Sequence, residues 1–115
     1  MNRVCVIGAA LSAALLAGCN ARLDPLDDAA ARAGIPDFEF VWAGFEHGPV
    51  KVTMPDGEIL IGEYRILENG TSQRPLAARA VGEAGTRMEC QGFAEYGYHG
   101  SGVCQTGRHK YRIVF

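Results

Sequence analysis

Short apolar runs that alternate with polar residues dominate the chain after residue 36. The stretch 38–42 places aromatic residues at every second position, and Val50, Val52 and Met54 repeat the pattern. A period of two is typical of a β-strand with one buried face. We predict about six or seven short strands, because glycine-containing turns separate the runs. The remaining strands are predicted within 58–66, 76–82, 86–93, 102–106 and 110–115.

Two local features shape the predicted hairpin over residues 50–66. Pro55-Asp56-Gly57 predicts a tight turn, because proline presets its backbone dihedral, aspartate caps locally and glycine accepts a positive φ. Ile59 and Ile61 are out of phase with the apolar residues that follow Gly62. This change of phase predicts a bulge or a barrel corner at Gly62.

The segment 19–36 lacks the alternating pattern of the later chain and predicts a short, partly helical tether. Asp24 suits an N-cap, Pro25 suits the first helical position, and Gly34 followed by Pro36 marks the stop. The predicted fold is therefore all-β: a small antiparallel barrel or sandwich over 37–115, preceded by this tether and by the first 18 residues.

Residues 1–18 read as a cleaved secretory signal. A basic start at Arg3 precedes an uncharged run over 4–16, which is too short to cross a bilayer. The tetrapeptide Leu-Ala-Gly-Cys at 16–19 resembles the lipobox of bacterial lipoproteins. That resemblance implies cleavage before Cys19, a diacylglycerol on its sulfur and an acylated new amine. Asn20 after the cysteine resembles an outer-membrane rather than an inner-membrane destination. The alternatives are an ordinary secretory signal and a cysteine buried in an apolar helix.

The four cysteines then have distinct fates. Cys5 leaves with the signal and Cys19 takes the lipid, which leaves Cys90 and Cys104 in an oxidising compartment, where thiols form disulfides. A hairpin centred on Gly97 places these two residues directly opposite each other. We therefore predict a Cys90–Cys104 disulfide.

The charge balance does not indicate a nucleic-acid partner. Without Arg3 the chain carries ten basic and thirteen acidic residues, and the acidic ones are concentrated in 20–68. A chain with this balance lacks the basic stripe that nucleic-acid binding requires. It has a dipolar distribution that suits either a charged envelope surface or a simple solvated exterior.

No metal centre is predicted, although four residues of the right types occur close together. Cys90, His99, Cys104 and His109 lack the closely spaced ligand pair that usually nucleates a zinc module. The predicted disulfide also consumes both thiolates. We expect no metal and no cofactor.

Catalytic patterns are similarly weak, so we expect no enzyme. Ser101 lies near His99, but no G-x-S-x-G elbow is present. Glu58 and Glu63 are the nearest carboxylates on a predicted hairpin, where such residues usually form a solvated face.

Two segments are candidates for binding. The loop between the cysteines carries Tyr96, Tyr98 and His99, and tyrosines on a held loop provide contact area with a polar group. The alternative is that the tyrosines cover the end of the barrel. The second candidate is a basic patch, and its alternative is a set of strand-edge charges that discourage aggregation. The patch comprises Arg108, Lys110 and Arg112.

Five short motifs are spread along the chain: MPDGE (54–58), GEY (62–64), MEC (88–90), GSGVC (100–104) and YRIVF (111–115). Together they resemble a pattern found in small uncharacterised lipoproteins of Gram-negative bacteria. The resemblance implies a shared fold but no catalytic or binding residue. The expected function is that of a non-enzymatic envelope lipoprotein that faces the periplasm and binds or supports an envelope protein or peptidoglycan. The alternative is a lipid-anchored inhibitor of a hydrolase such as lysozyme, with loop 95–101 entering the enzyme.

Overall fold

The chain forms a closed barrel of eight antiparallel strands, as seen in a computed structural model that describes residues 19–41, 46–95 and 99–115. Each strand pairs with the next along the chain, and the eighth pairs with the first. The elements are β1 (Cys19–Pro25), α1 (Asp28–Ala33), β2 (Asp37–Phe40), β3 (His47–Thr53), β4 (Ile59–Ile66), β5 (Arg74–Gly82), β6 (Arg87–Glu95), β7 (His99–Thr106) and β8 (His109–Val114). Within these described residues, no helix has the length and apolar character needed to cross a membrane.

The predicted all-β fold is confirmed, and of the two predicted architectures the barrel is the one observed. The additional strand is β1, which lies in the segment predicted as a tether. Ala21 and Leu23 are buried in the barrel, whereas Arg22 and Asp24 lie on its outer side. This alternation was not recognised because alanine gives a weak apolar signal. Residues 19–25 are therefore part of the barrel wall, not a separate connecting segment.

Helix α1 is present but begins later than the sequence predicts. Asp27 is the N-cap, and its carboxylate accepts a hydrogen bond from the Ala30 backbone N–H at 2.7 Å. The predicted cap, Asp24, is instead paired with β8, so it cannot start a helix. Gly34 ends the helix as predicted, with φ at 97°.

Side chains from all eight strands fill the barrel interior. The predicted alternation of β3 and the predicted turn at Gly57 are confirmed, and Trp42 lies outside the described residues. Phe40 makes ring contacts with Tyr64 and Phe115 at centroid distances of 5.0 and 5.1 Å. The buried large side chains include Leu23, Phe38, Phe40, Val50, Val52, Leu60, Tyr64, Ile66, Leu76, Met88, Tyr111 and Ile113.

A bulge, one of the two alternatives predicted at Gly62, is not observed. The ladder from β3 through β4 to β5 is continuous at this residue, which lies opposite Val50 on one side and Ala80 on the other. A Cβ atom here would collide with the backbone of Arg79 and Ala80. Glycine is therefore required because two strands approach closely, and the change of phase has another cause: Ile59 and Ile61 are exposed on the outer wall.

The two ends of the barrel differ. At the helix end, α1 covers the interior: Ala30 is fully buried, and the Tyr111 hydroxyl donates a hydrogen bond to the Gly34 carbonyl at 2.8 Å. At the opposite end, here called the Cys19 end, β1 begins beside the last residue of β2. The strands β3, β5 and β7 also begin there, and β2, β4 and β6 end there.

A disulfide joins β6 and β7 inside the barrel. Cys90 lies directly opposite Cys104 in the ladder, and both side chains are buried. This confirms the predicted pairing. The covalent link closes a short loop between neighbouring strands in a small domain whose hydrophobic core is thin.

Loss of the disulfide is expected to destabilise the barrel. Cross-linking a loop of about 15 residues is worth roughly 3 kcal/mol in the chain-entropy model, so Cys90→Ala/Cys104→Ala should lower Tm by several degrees or more. The matched control is Gln91→Ala/Val103→Ala, the next pair in the same ladder, which faces outward and should change Tm little. Equal Tm values for the wild type and the cysteine variant would contradict the prediction.

The Tyr111 hydroxyl is expected to stabilise α1 on the barrel in a pH-dependent way. Burial raises the pKa of Tyr111 above its usual value of 10.0, and the nearby Asp27 charge raises that pKa further. The folded state thus favours the neutral phenol, and its contribution is complete below the unfolded pKa and is lost as pH rises through the folded pKa. Tyr111→Phe should cost about 1 kcal/mol at pH 8. In chemical denaturation this difference should shrink above pH 10, and a constant difference would contradict the assignment.

Candidate functional site

The predicted lipidation residue begins the barrel wall. Cys19 is the first residue of β1 and lies opposite Phe40, and the pairing continues with Asn20 opposite Glu39. The Asn20 side-chain amide also donates a hydrogen bond to the Asp37 carboxylate at 3.2 Å. Residues immediately after Cys19 are thus held in the sheet.

The two strand ends that flank the predicted binding loop lie at the same end of the barrel as Cys19. Tyr96 and Tyr98 lie outside the described residues. Their flanking residues, Glu95 and His99, form the last pair of the β6–β7 ladder, and the His99 Nδ1 lies 3.9 Å from the Glu95 carboxylate. Because the His99 side chain is 60% exposed, this contact is a solvent-facing one.

A buried arginine organises the same end. Arg74 begins β5 with its side chain inside the barrel and 3% exposed. Its guanidinium donates a hydrogen bond to the Glu95 carbonyl at 3.3 Å and lies 4.0 Å from the Glu68 carboxylate. Arg74 thereby connects the segment after β4 to the end of β6. Sequence reasoning missed it, although its position two residues before Leu76 gives it the phase of an inward-facing residue.

Two large apolar side chains are exposed near this end. Leu67 follows β4 and is 53% exposed, and Phe93 on β6 is 52% exposed. The Leu67 backbone N–H donates to the Pro75 carbonyl at 2.9 Å, and Pro75 lies opposite Phe93. These three residues therefore occupy one row across β4, β5 and β6. We call Leu67, Pro75 and Phe93 the apolar strip.

The residues of the predicted basic patch are divided between the turn before β8 and β8 itself. Arg108 lies in the turn before β8, whereas Lys110 and Arg112 lie on the outer wall and alternate with buried Tyr111. Arg112 lies opposite Asp24 on β1, so an acidic residue adjoins it. All three cations are exposed, which fits a solvated strand surface better than a concentrated anion site.

The residues considered for a zinc site cannot meet. Cys90 and Cys104 are consumed by the disulfide, while His99 begins β7 and His109 lies opposite Thr106 at the other end of that strand. Seven residues of extended strand separate those ends by roughly 23 Å. Across the described ranges, no group of three or more His, Cys, Asp or Glu side chains could hold a metal ion.

The carboxylates considered for catalysis are also separated. Glu63 lies on the outer wall opposite Arg79. Glu58 precedes β4 and accepts hydrogen bonds from the Thr86 hydroxyl at 2.6 Å and the Ala84 N–H at 3.1 Å. Glu58 therefore joins two turns at the helix end, which is a structural role. Ser101 lies on the exposed face of β7 opposite Phe93.

A second exposed apolar group lies on the outer wall toward the helix end. Ile61 is 58% exposed and lies directly opposite Val81, with Ile59 two residues away on the same face. We call Ile59, Ile61 and Val81 the apolar triplet. The sequence showed that Ile59 and Ile61 are out of phase, and this was attributed to a bulge or a barrel corner at Gly62. In the observed ladder both side chains face outward.

Two shallow grooves, of about 380 and 420 Å³, follow the outer wall beside the triplet. They share Glu89 and Gln91, and Ala77 leaves space in the first. A cross-strand row of Glu63, Arg79 and Glu89 alternates in charge within the first groove. These grooves offer hydrogen-bond donors and acceptors of both signs but no concentrated charge.

Comparison with known proteins gives no match: no family model, no curated protein and no solved structure is significantly similar to this chain.

Proposed function

We propose that this protein is a non-enzymatic lipoprotein of the bacterial cell envelope that is anchored through Cys19 and binds an envelope protein on its periplasmic side. The lipobox-like tetrapeptide at 16–19 supports the anchor. The buried Cys90–Cys104 disulfide supports an oxidising compartment, since such bonds persist in secreted and periplasmic proteins.

The observation that carries the binding role is the apolar triplet. Ile59, Ile61 and Val81 are adjacent on the outer wall and are each 46% or more exposed. Contiguous exposed apolar residues on a small protein mark interaction surfaces. An anchor at Cys19 directs the apolar triplet away from the membrane and toward the periplasm, because the triplet lies nearer the helix end. Its apolar character fits a protein better than the polar chains of peptidoglycan.

Two arrangements favour binding over catalysis or inhibition. His99 and His109 lie at opposite ends of β7, and the interior of the barrel is packed with side chains. The alternative role of hydrolase inhibitor requires loop 95–101 to enter an enzyme. Glu95 and His99, which flank residues 96–98, lie at the Cys19 end, so an anchor at Cys19 directs these two residues toward the membrane.

The proposed lipid anchor predicts a specific effect of replacing Cys19. Cys19→Ser should abolish lipid attachment and move the protein from the membrane fraction to the soluble fraction, because no acyl chains then hold it. Cys5→Ser is the matched control and should leave both properties unchanged. Intact-mass spectrometry and fractionation measure these outcomes. Membrane retention of Cys19→Ser at an unchanged mass would contradict the anchor.

The binding role predicts a defined neighbour at the triplet. A photoreactive benzoyl-phenylalanine in place of Ile61, in the full-length protein in its native cells, should give a light-dependent adduct of one discrete mass. The same group in place of Gln105, an exposed residue on the outer wall of β7, should not. Ile59→Ser/Val81→Ser should weaken the Ile61 adduct. Identical adduct patterns at both positions, or none at Ile61, would contradict the proposed surface.

A further inference from the structure

The start of β1 leaves no spacer between the proposed lipid and the barrel. Cys19 itself is paired with Phe40, and the next two residues continue that ladder. A lipid-bearing residue must lie at the surface of the bilayer. Because a strand advances only about 3.3 Å per residue, the beginning of the barrel wall is then held within a few ångströms of the headgroups.

We propose, on the basis of the anchoring proposed above, that the barrel rests on the bilayer with its Cys19 end against the lipid and its apolar strip in the headgroup region. The occupant of this surface is the membrane itself. The lipid on Cys19 thus fixes the orientation of the barrel in addition to its location.

The apolar strip is placed for this contact. Phe93 lies two residues before the end of β6, Pro75 is the second residue of β5, and Leu67 follows the last residue of β4. The strip therefore follows the edge of the barrel at the end where Cys19 lies. From Phe93 the same row continues through Ser101 and Val114 to Arg22, so β6 is three strand spacings, roughly 14 Å, from β1. The strip and the anchor are two separate points of support.

Two polar groups beside the strip have partners within the protein. The Glu68 carboxylate, directly after Leu67, is 4.0 Å from the Arg74 guanidinium, so its charge faces a cation. The backbone N–H of Leu67 is satisfied by the Pro75 carbonyl. Leu67 is consequently presented from a hydrogen-bonded segment. An apolar side chain with this support enters an interface without leaving an unpaired backbone group there.

Site-specific quenching tests the orientation. The full-length lipidated protein is reconstituted in phosphatidylcholine–phosphatidylethanolamine vesicles, with a fluorophore attached through Phe93→Cys or Leu67→Cys. The matched controls are Ile59→Cys and Leu26→Cys, which are exposed apolar positions toward the helix end. Lipids that carry a nitroxide near the headgroup should quench the label several-fold more at 93 and 67 than at 59 and 26. In the Leu67→Cys protein, Phe93→Ser should reduce quenching, whereas Ile59→Ser should not.

The outcomes separate orientation from anchoring. Protein that floats with the vesicles but shows equal quenching at all four positions overturns the orientation and leaves the anchor intact. If neither the lipid nitroxide nor aqueous iodide quenches the labels at 67 and 93, a protein covers the strip. That result also overturns the proposal. Absence of flotation together with absence of lipid mass on Cys19 overturns both proposals.

Discussion

The pairing of β1 with β8 is the constraint on which the rest of the structure depends. It closes the barrel, since Arg22 to Pro25 lie opposite Val114 to Tyr111, and without it β1 and β8 would each present a free edge. Closure also encloses the interior that Phe38, Tyr64 and Tyr111 fill. The helix α1 then covers one end because the chain leaves β1 there and must cross to β2. The proposed anchor and the proposed binding surface are separated by the same geometry.

Much of this architecture could be predicted from the chain because it is locally encoded. Strand β3 alternates clearly before the Pro55-Asp56-Gly57 turn, and the equal distances of Cys90 and Cys104 from residue 97 placed them opposite each other. What could not be predicted depends on distant partners. Strand β1 has only Ala21 and Leu23 as apolar residues, and it becomes a strand because β2 and β8 supply its hydrogen bonds.

The candidate site was harder to predict than the fold for a related reason. Whether an apolar residue faces inward or outward depends on how its strand pairs with the neighbouring strands. Ile59, Leu60 and Ile61 are all apolar, so the sequence alone does not show which of them face inward. The inward orientation of Arg74 could not be predicted because polar residues precede it in the sequence, although its side chain is buried. Arg108, Lys110 and Arg112 were grouped because they are close in the sequence. Side chains alternate along β8, so Tyr111 faces inward and Arg112 faces outward.

The seam between the first and the eighth strand has a consequence for the proposed export. Residues that pair across this seam are far apart in the chain, and contacts between such distant residues form slowly. If the chain is exported and cleaved as proposed, the first strand would cross the inner membrane before its partner, and the barrel could close only after translocation had delivered β8.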